Sequence, residues 1–109
     1  MIYKLLLPAE WEAFETAGRF DGSPVDIQDG FIHFSSPDQV RGTAAKHFAD
    51  APSVVLAEVD PALLKPEPVW EKSRGGDFFP HLYGVLPSAA VVRHWLLARR
   101  PDGAFDFPI

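Results

Sequence analysis

The chain contains no cysteine, so neither a disulfide framework nor a thiolate metal site is open to it. A long apolar run is missing as well. Near the N-terminus a single lysine precedes the short stretch Leu5-Leu6-Leu7, which fits neither a signal peptide nor a membrane span. The expectation is a cytoplasmic protein with no membrane partner. Basic residues are scarce: 10 Lys and Arg stand against 15 Asp and Glu, a net charge of -5, which excludes general nucleic-acid binding. One phosphate-bearing small ligand would need only a local cluster such as Lys72 with Arg74. Neither G-x-G-x-x-G, the P-loop pattern nor the G-x-S-x-G elbow occurs, so the standard dinucleotide and triphosphate cradles and the serine-hydrolase turn are absent. The four histidines, His33, His47, His81 and His94, never fall at a close metal-ligand spacing, so no metal site is expected. His47 reads as a helix-face residue and His94 as a strand residue.

What is present bounds the rest. The 109 residues, 47% hydrophobic and 23% charged, suit one globular domain over 1–109 with one core. Eleven prolines imply many short elements rather than a long-helix bundle. Residues 2–6 read as a strand. Pro8 then opens a helix with Trp11, Phe14 and Ala17 as its apolar stripe, and Gly18 stops it. Residues 19–30 are polar and punctuated by Gly and Pro, so they read as a long loop on a ligand-site rim. Residues 31–35 have strand character, with Phe31, His33 and Ser35 on one face. Ser36, Pro37 and Gln39 then form a complete helix start, and Val40, Ala44, His47 and Phe48 recur at helical spacing.

Residues 53–59 form a strand whose continuous apolar start places it centrally in its sheet. Asp60-Pro61 caps a single turn over Leu63 and Leu64. Residues 69–71 read as a brief strand, Gly75-Gly76 as a turn, 82–85 as a segment pairing back, and 91–97 as the last clear strand. Pro101-Asp102-Gly103 marks a turn, and the alternation of Phe105, Phe107 and Ile109 predicts a C-terminal edge strand able to support edge pairing. The oligomeric state is not readable. Only the first half alternates as a parallel α/β fold would, so the fold class is α+β.

Two strings stand out chemically: Gly30-Phe31-Ile32-His33-Phe34-Ser35-Ser36 and Phe78-Phe79-Pro80-His81-Leu82-Tyr83-Gly84. Each sets a histidine among aromatics, and a buried imidazole or phenol must find a partner. His33 and Ser35 on one strand face, just before a helix start, suit a ligand. A core histidine satisfied by a backbone carbonyl is the plain alternative. His81 and Tyr83 lie two apart and share a side. Gly84 permits a close backbone approach or an unusual dihedral, and a packed structural turn is the alternative there. Glu71 beside Trp70 suits acid–base or charge-stabilising work, or else is a solvated glutamate paired with Lys72 or Arg74.

The succession Trp11-Glu12, Gly30-Phe31-Ile32-His33 with Ser35, Gln39, Asp60, Trp70-Glu71 and Phe79-Pro80-His81-Leu82-Tyr83-Gly84 resembles the bacterial family called domain of unknown function 952. The resemblance covers nearly the whole chain. It implies an ADP-ribosyltransferase-like fold of two small, packed, mainly antiparallel sheets with flanking helices, and a cleft that binds NAD, a related nucleotide or a phosphorylated metabolite. By that analogy His33 and Ser35 contact a ribose or phosphate, Tyr83 or a phenylalanine stacks with His81 in the pocket wall, and Glu71 is the catalytic carboxylate of a glycosyl transfer. The chain departs from the family pattern at one point: Lys4 follows Tyr3 where members carry a histidine, and lysine lacks imidazole's neutral donor–acceptor pattern. A non-catalytic binding or structural module is the alternative to an enzyme.

Overall fold

The computed structural model describes residues 1–73 and 75–109. Arg74, one half of the expected Lys72/Arg74 cluster, lies outside the described residues. The architecture is α+β: the described residues form three short helices and eight strands, and each of those strands pairs antiparallel. The strands form three sheets where two were expected.

The central sheet joins β1 (Ile2–Leu6), β4 (Ser53–Val59) and β8 (Val91–Ala98) in the order β1-β4-β8. Strand β4 is central, as its apolar start requires, because both its edges and both its faces are covered. Alternation along β1 and β4 divides the interior in two. Ile2, Leu6, Ala57 and Val59 join Phe14, Ile32, Phe34 and Leu82 in one cluster. Tyr3, Leu5, Val54 and Leu56 meet Val40 and Ala44 on the opposite side. Lys4 shares its face with Ile2 and Leu6, and so is carried inward and buried.

Helix α1 (Pro8–Ala17) begins where expected: Pro8 occupies the first turn, the Glu10 side chain accepts from the Leu7 N–H at 2.8 Å, and Gly18 ends it at φ 76°. Phe14 is the buried residue of its stripe. Residues 19–30 are not one loop. They hold β2 (Arg19–Phe20), paired with β7 (Leu86–Pro87), and then α2 (Pro24–Asp29). The start signal of α2 is the same one read at Ser36: Ser23 precedes Pro24, and the Asp26 carboxylate takes the Ser23 N–H at 2.9 Å. Helix α3 (Val40–His47) starts later than expected, because Pro37 to Gln39 form a turn, with Gln39 Oε1 accepting from the Ser36 N–H.

The third sheet has the order β3-β6-β5, from β3 (Ile32–His33), β6 (Phe78–Leu82) and β5 (Val69–Lys72). Strand β6 starts at Phe78 and contains Pro80, so the segment that pairs back lies earlier than 82–85. The Asp60 cap and its 3₁₀ turn (Pro61–Leu63) are as expected. The C-terminal tail is the other correction: residues 104–109 form no strand. Phe105, Phe107 and Ile109 instead pack on the second core cluster, while the Arg99 and Arg41 guanidinium groups lie over the Phe105 and Phe107 rings.

Candidate functional site

Register fixes which side chains of the third sheet share a face. His33 stands opposite His81, Val69 opposite His81 on the other flank, and Glu71 opposite Phe79. Ile32, Leu82 and Pro80 point the other way, and Ile32 and Leu82 are core residues. The sheet therefore anchors one apolar face and presents His33, His81 and Glu71 together on the other. Phe31 and Tyr83, just beyond the strand ends, complete the group.

Glu71 is bound on one oxygen only. Its Oε1 accepts from His81 Nδ1 at 2.8 Å and from the Tyr83 hydroxyl at 2.8 Å. The His81 hydrogen bond, then that of Tyr83, holds the Glu71 carboxyl below its ordinary range, and the same contact pushes the Tyr83 phenol up. Glu71 is thus an ionised carboxylate whose Oε2 has no partner among the described residues. Because an ionised carboxylate only accepts, His81 donates to Glu71 through an Nδ1 proton. Of the two partners expected for Glu71, Lys72 falls on the opposite face of β5, and Arg74 lies outside the described residues.

Phe31 is the hub of the aromatic group. Its ring stacks on His81 at 4.0 Å and 21°, and lies 4.7 Å from His33 and 5.3 Å from Tyr83 between centroids. The His33 and His81 rings meet edge-on at 5.4 Å. Gly84 matters through close approach rather than dihedral: a Cβ there would sit 3.2 Å from the Lys65 carbonyl oxygen and 3.2 Å from Pro66 Cδ.

Beneath His33 lies a polar centre. Asp26, 1% exposed, accepts from Lys4 Nζ at 3.0 and 3.3 Å, from the Ser23 and His33 N–H groups at 2.9 and 3.1 Å, and from His33 Nδ1 at 2.6 Å. Lys4 Nζ also donates to the His33 carbonyl at 2.9 Å. Burial alone raises the Asp26 carboxyl, but the His33 hydrogen bond and the Lys4 charge outweigh it and hold it far below the usual range. Burial pulls Lys4 down, and Asp26 opposes that pull. The other ring nitrogen of His33, Nε2, reaches Asp29 at 2.9 Å. Lys4 is therefore not a surface replacement for a ligand-binding histidine. It is the buried counter-charge of the carboxylate that orients His33.

Four of the five candidate residues, His33, Glu71, His81 and Tyr83, converge. Ser35 does not. After His33 the chain leaves the third sheet and bridges to Tyr3 of the central sheet, which breaks the alternation. The Ser35 hydroxyl, buried, pairs with Thr43 Oγ1 of α3 at 2.8 Å. Asp26 and Asp29 escaped the sequence reading, and Lys4 entered it only as a departure from the family pattern. The available signal was the Ser23-Pro24-x-Asp26 cap, which places a carboxylate seven residues before His33. A shallow depression of about 200 Å³ adjoins the group, lined by Asp21, Asp26, Ile27, Gly30, Phe31, Ile32 and Gly84. A larger one of about 390 Å³ lies elsewhere, at Leu7 and residues 46–51. No helix among the described residues is long and apolar enough to cross a membrane.

No curated protein matches the chain. The crystal structure of protein CC0527 from Caulobacter crescentus is 46% identical and superposes with a TM-score of 0.88, covering 96% of this chain and 92% of that one. The solution NMR structure of CC0527 is 47% identical with a TM-score of 0.83, covering 94% and 89%. The family model described as "Protein of unknown function (DUF952)" matches residues 5–94, and the chain belongs to that family.

Proposed function

We propose that the outer face of the third sheet binds a small ribose-bearing molecule, NAD or a related nucleotide, in an ADP-ribosyltransferase-like manner. The observation that carries this reading is Glu71: one oxygen is fixed by His81 and Tyr83, and the other has no partner among the described residues. Cleavage of a nicotinamide–ribose bond sends the bonding pair to nicotinamide and leaves positive charge on the sugar. A fixed, ionised carboxylate stabilises that charge, and water or another acceptor then bonds to the sugar carbon and gives up its proton. His33 would hold the ribose, and Phe31 and Tyr83 would flank the planar ring.

A second reading, a binding module without chemistry, is favoured by the local charge. Asp21, Asp29 and Glu71 surround the face, and the Lys4 ammonium is already neutralised by Asp26. A pyrophosphate finds no cationic cradle among these groups, whereas a nucleoside or other uncharged ribosyl ligand does not need one.

Incubation with NAD, with nicotinamide release followed by chromatography and binding by thermal shift, separates the two. Release that Glu71→Gln abolishes while binding persists supports transfer. Binding without release, kept in Glu71→Gln and lost in His33→Ala, supports the module. Neither release nor binding of NAD or a nucleoside overturns both.

A further inference from the structure

Helix α2 is attached to the protein in an unusual way. Its one buried residue is Asp26, whereas Val25 and Ile27, its apolar side chains, are exposed. What holds it is polar: Lys4 and His33 on Asp26, and His33 again on Asp29. Glycines with positive φ stand at both ends, Gly22 at 127° and Gly30 at 86°. At Gly22 a Cβ would lie 2.9 Å from Asp26 Cβ, so the turn into α2 admits no side chain there.

We propose that residues 22–30 form a strap hinged at Gly22 and Gly30 and latched by the His33 ring, and that loss of a ring proton releases its outer end from the edge of the site. Both ring nitrogens lie on carboxylate oxygens, 2.6 Å from Asp26 and 2.9 Å from Asp29, and because an ionised carboxylate only accepts, the latched contact needs a donor on each nitrogen. A neutral ring has one N–H. Kept on Nδ1 for the buried Asp26, it leaves Nε2 as a lone pair against the Asp29 carboxylate, and that contact becomes repulsive. The groups facing His33 are Asp26 and Asp29 from α2, Lys4 from β1 and His81 from β6. From α3, His47 is near enough to repel it when both are charged. Opening would widen the depression between Ile27 and Gly30 of the strap and Phe31 and Gly84 of the site. The bearing on ligand entry rests on the proposed ligand site. The motion itself does not.

Amide hydrogen exchange tests the motion directly and needs no ligand. Ile27, Gly30 and Phe31 donate to the Ser23 and Asp26 carbonyls, and Leu56 at the centre of β4 reports global opening. Protection factors, corrected for the intrinsic pH dependence of exchange, should fall about tenfold at the strap amides Ile27 and Gly30 and at Phe31, which donates to the strap, between pH 5.5 and 8.5, while Leu56 stays level. At pH 5.5 Asp29→Asn should lower them by about two- to fivefold and flatten the pH response. Protection that ignores both pH and Asp29→Asn, or strap and Leu56 amides falling together, overturns the latch. An absence of NAD binding with the strap response intact would instead reject only the ligand reading.

Discussion

Removing the Asp26 carboxylate leaves the Lys4 ammonium buried without its counter-charge and His33 without its inner partner, so the cost is that of breaking a buried pair. Asp26→Asn should lower unfolding stability by about 3–5 kcal/mol at neutral pH, read from urea midpoints. A loss within about 0.5 kcal/mol, the range of an ordinary surface substitution, would refute this. The sign of its pH dependence follows from the depressed carboxyl. The contribution is complete above the unfolded aspartate value of about 3.9 and is lost as pH falls below it, so the two proteins should converge in acid. Tyr3 behaves oppositely. Burial first, and then its 2.6 Å hydrogen bond to Glu58, push its phenol up to about 12. A raised value means its contribution is complete below about pH 10 and lost as pH climbs toward the folded value. Tyr3→Phe should therefore shrink the alkaline loss of stability between about pH 10 and 12, and an unchanged alkaline limb would contradict the assignment.

Elements were legible where their ends carried local chemistry that tertiary packing did not contradict. Pro8 with Gly18 bounds α1, Asp60 caps its turn, and the apolar start of β4 marks a central strand. Helix α2 was hidden because the residue it buries is a carboxylate, so no apolar period marks its inner face. Strand β6 was read too late because Pro80 lies inside it, yet the Pro80 carbonyl still accepts from the Phe34 N–H at 3.0 Å. The tail alternates because one side of it packs on a core, not because it pairs with a strand. Arg99 pins the start of that tail. It donates to the Ala51, Gly103 and Phe48 carbonyls and stacks on Phe105 at 4.3 Å. Arg99→Ala should cost about 2 kcal/mol or more in thermal or urea unfolding, through several hydrogen bonds of about 1 kcal/mol each. Arg99→Lys should recover little of this, since an ammonium cannot span three carbonyls and an aromatic face.

At the scale of the whole molecule, the site is tied to the central sheet by a charge relay rather than by packing alone. Lys4 belongs to β1, Asp26 to α2 and His33 to β3, so two contacts that share Asp26 link the central sheet, the helix and the site-bearing sheet. That His81 and Tyr83 share a side was legible from their spacing of two, but that they meet His33 and Glu71 depends on the register of β6, which the sequence reading placed too late. The polar centre beneath them was not legible, because a lysine and an aspartate 22 residues apart give no local signal of meeting. Fold and site make separable demands on this pair. Lys4→Met alone and Asp26→Leu alone should each destabilise by about 3–5 kcal/mol, whereas the two together, which remove both charges but leave the Ser23 and His33 donors without the carboxylate, should cost clearly less than the sum of the two. The double variant still lacks the carboxylate on His33 Nδ1, so the ring's nitrogen resonances should keep the pattern of Asp26→Leu rather than return to that of the parent. A cost below the sum together with the parental histidine spectrum would mean that Asp26 does not orient His33, and a cost equal to the sum would mean that the two charges do not act as a pair.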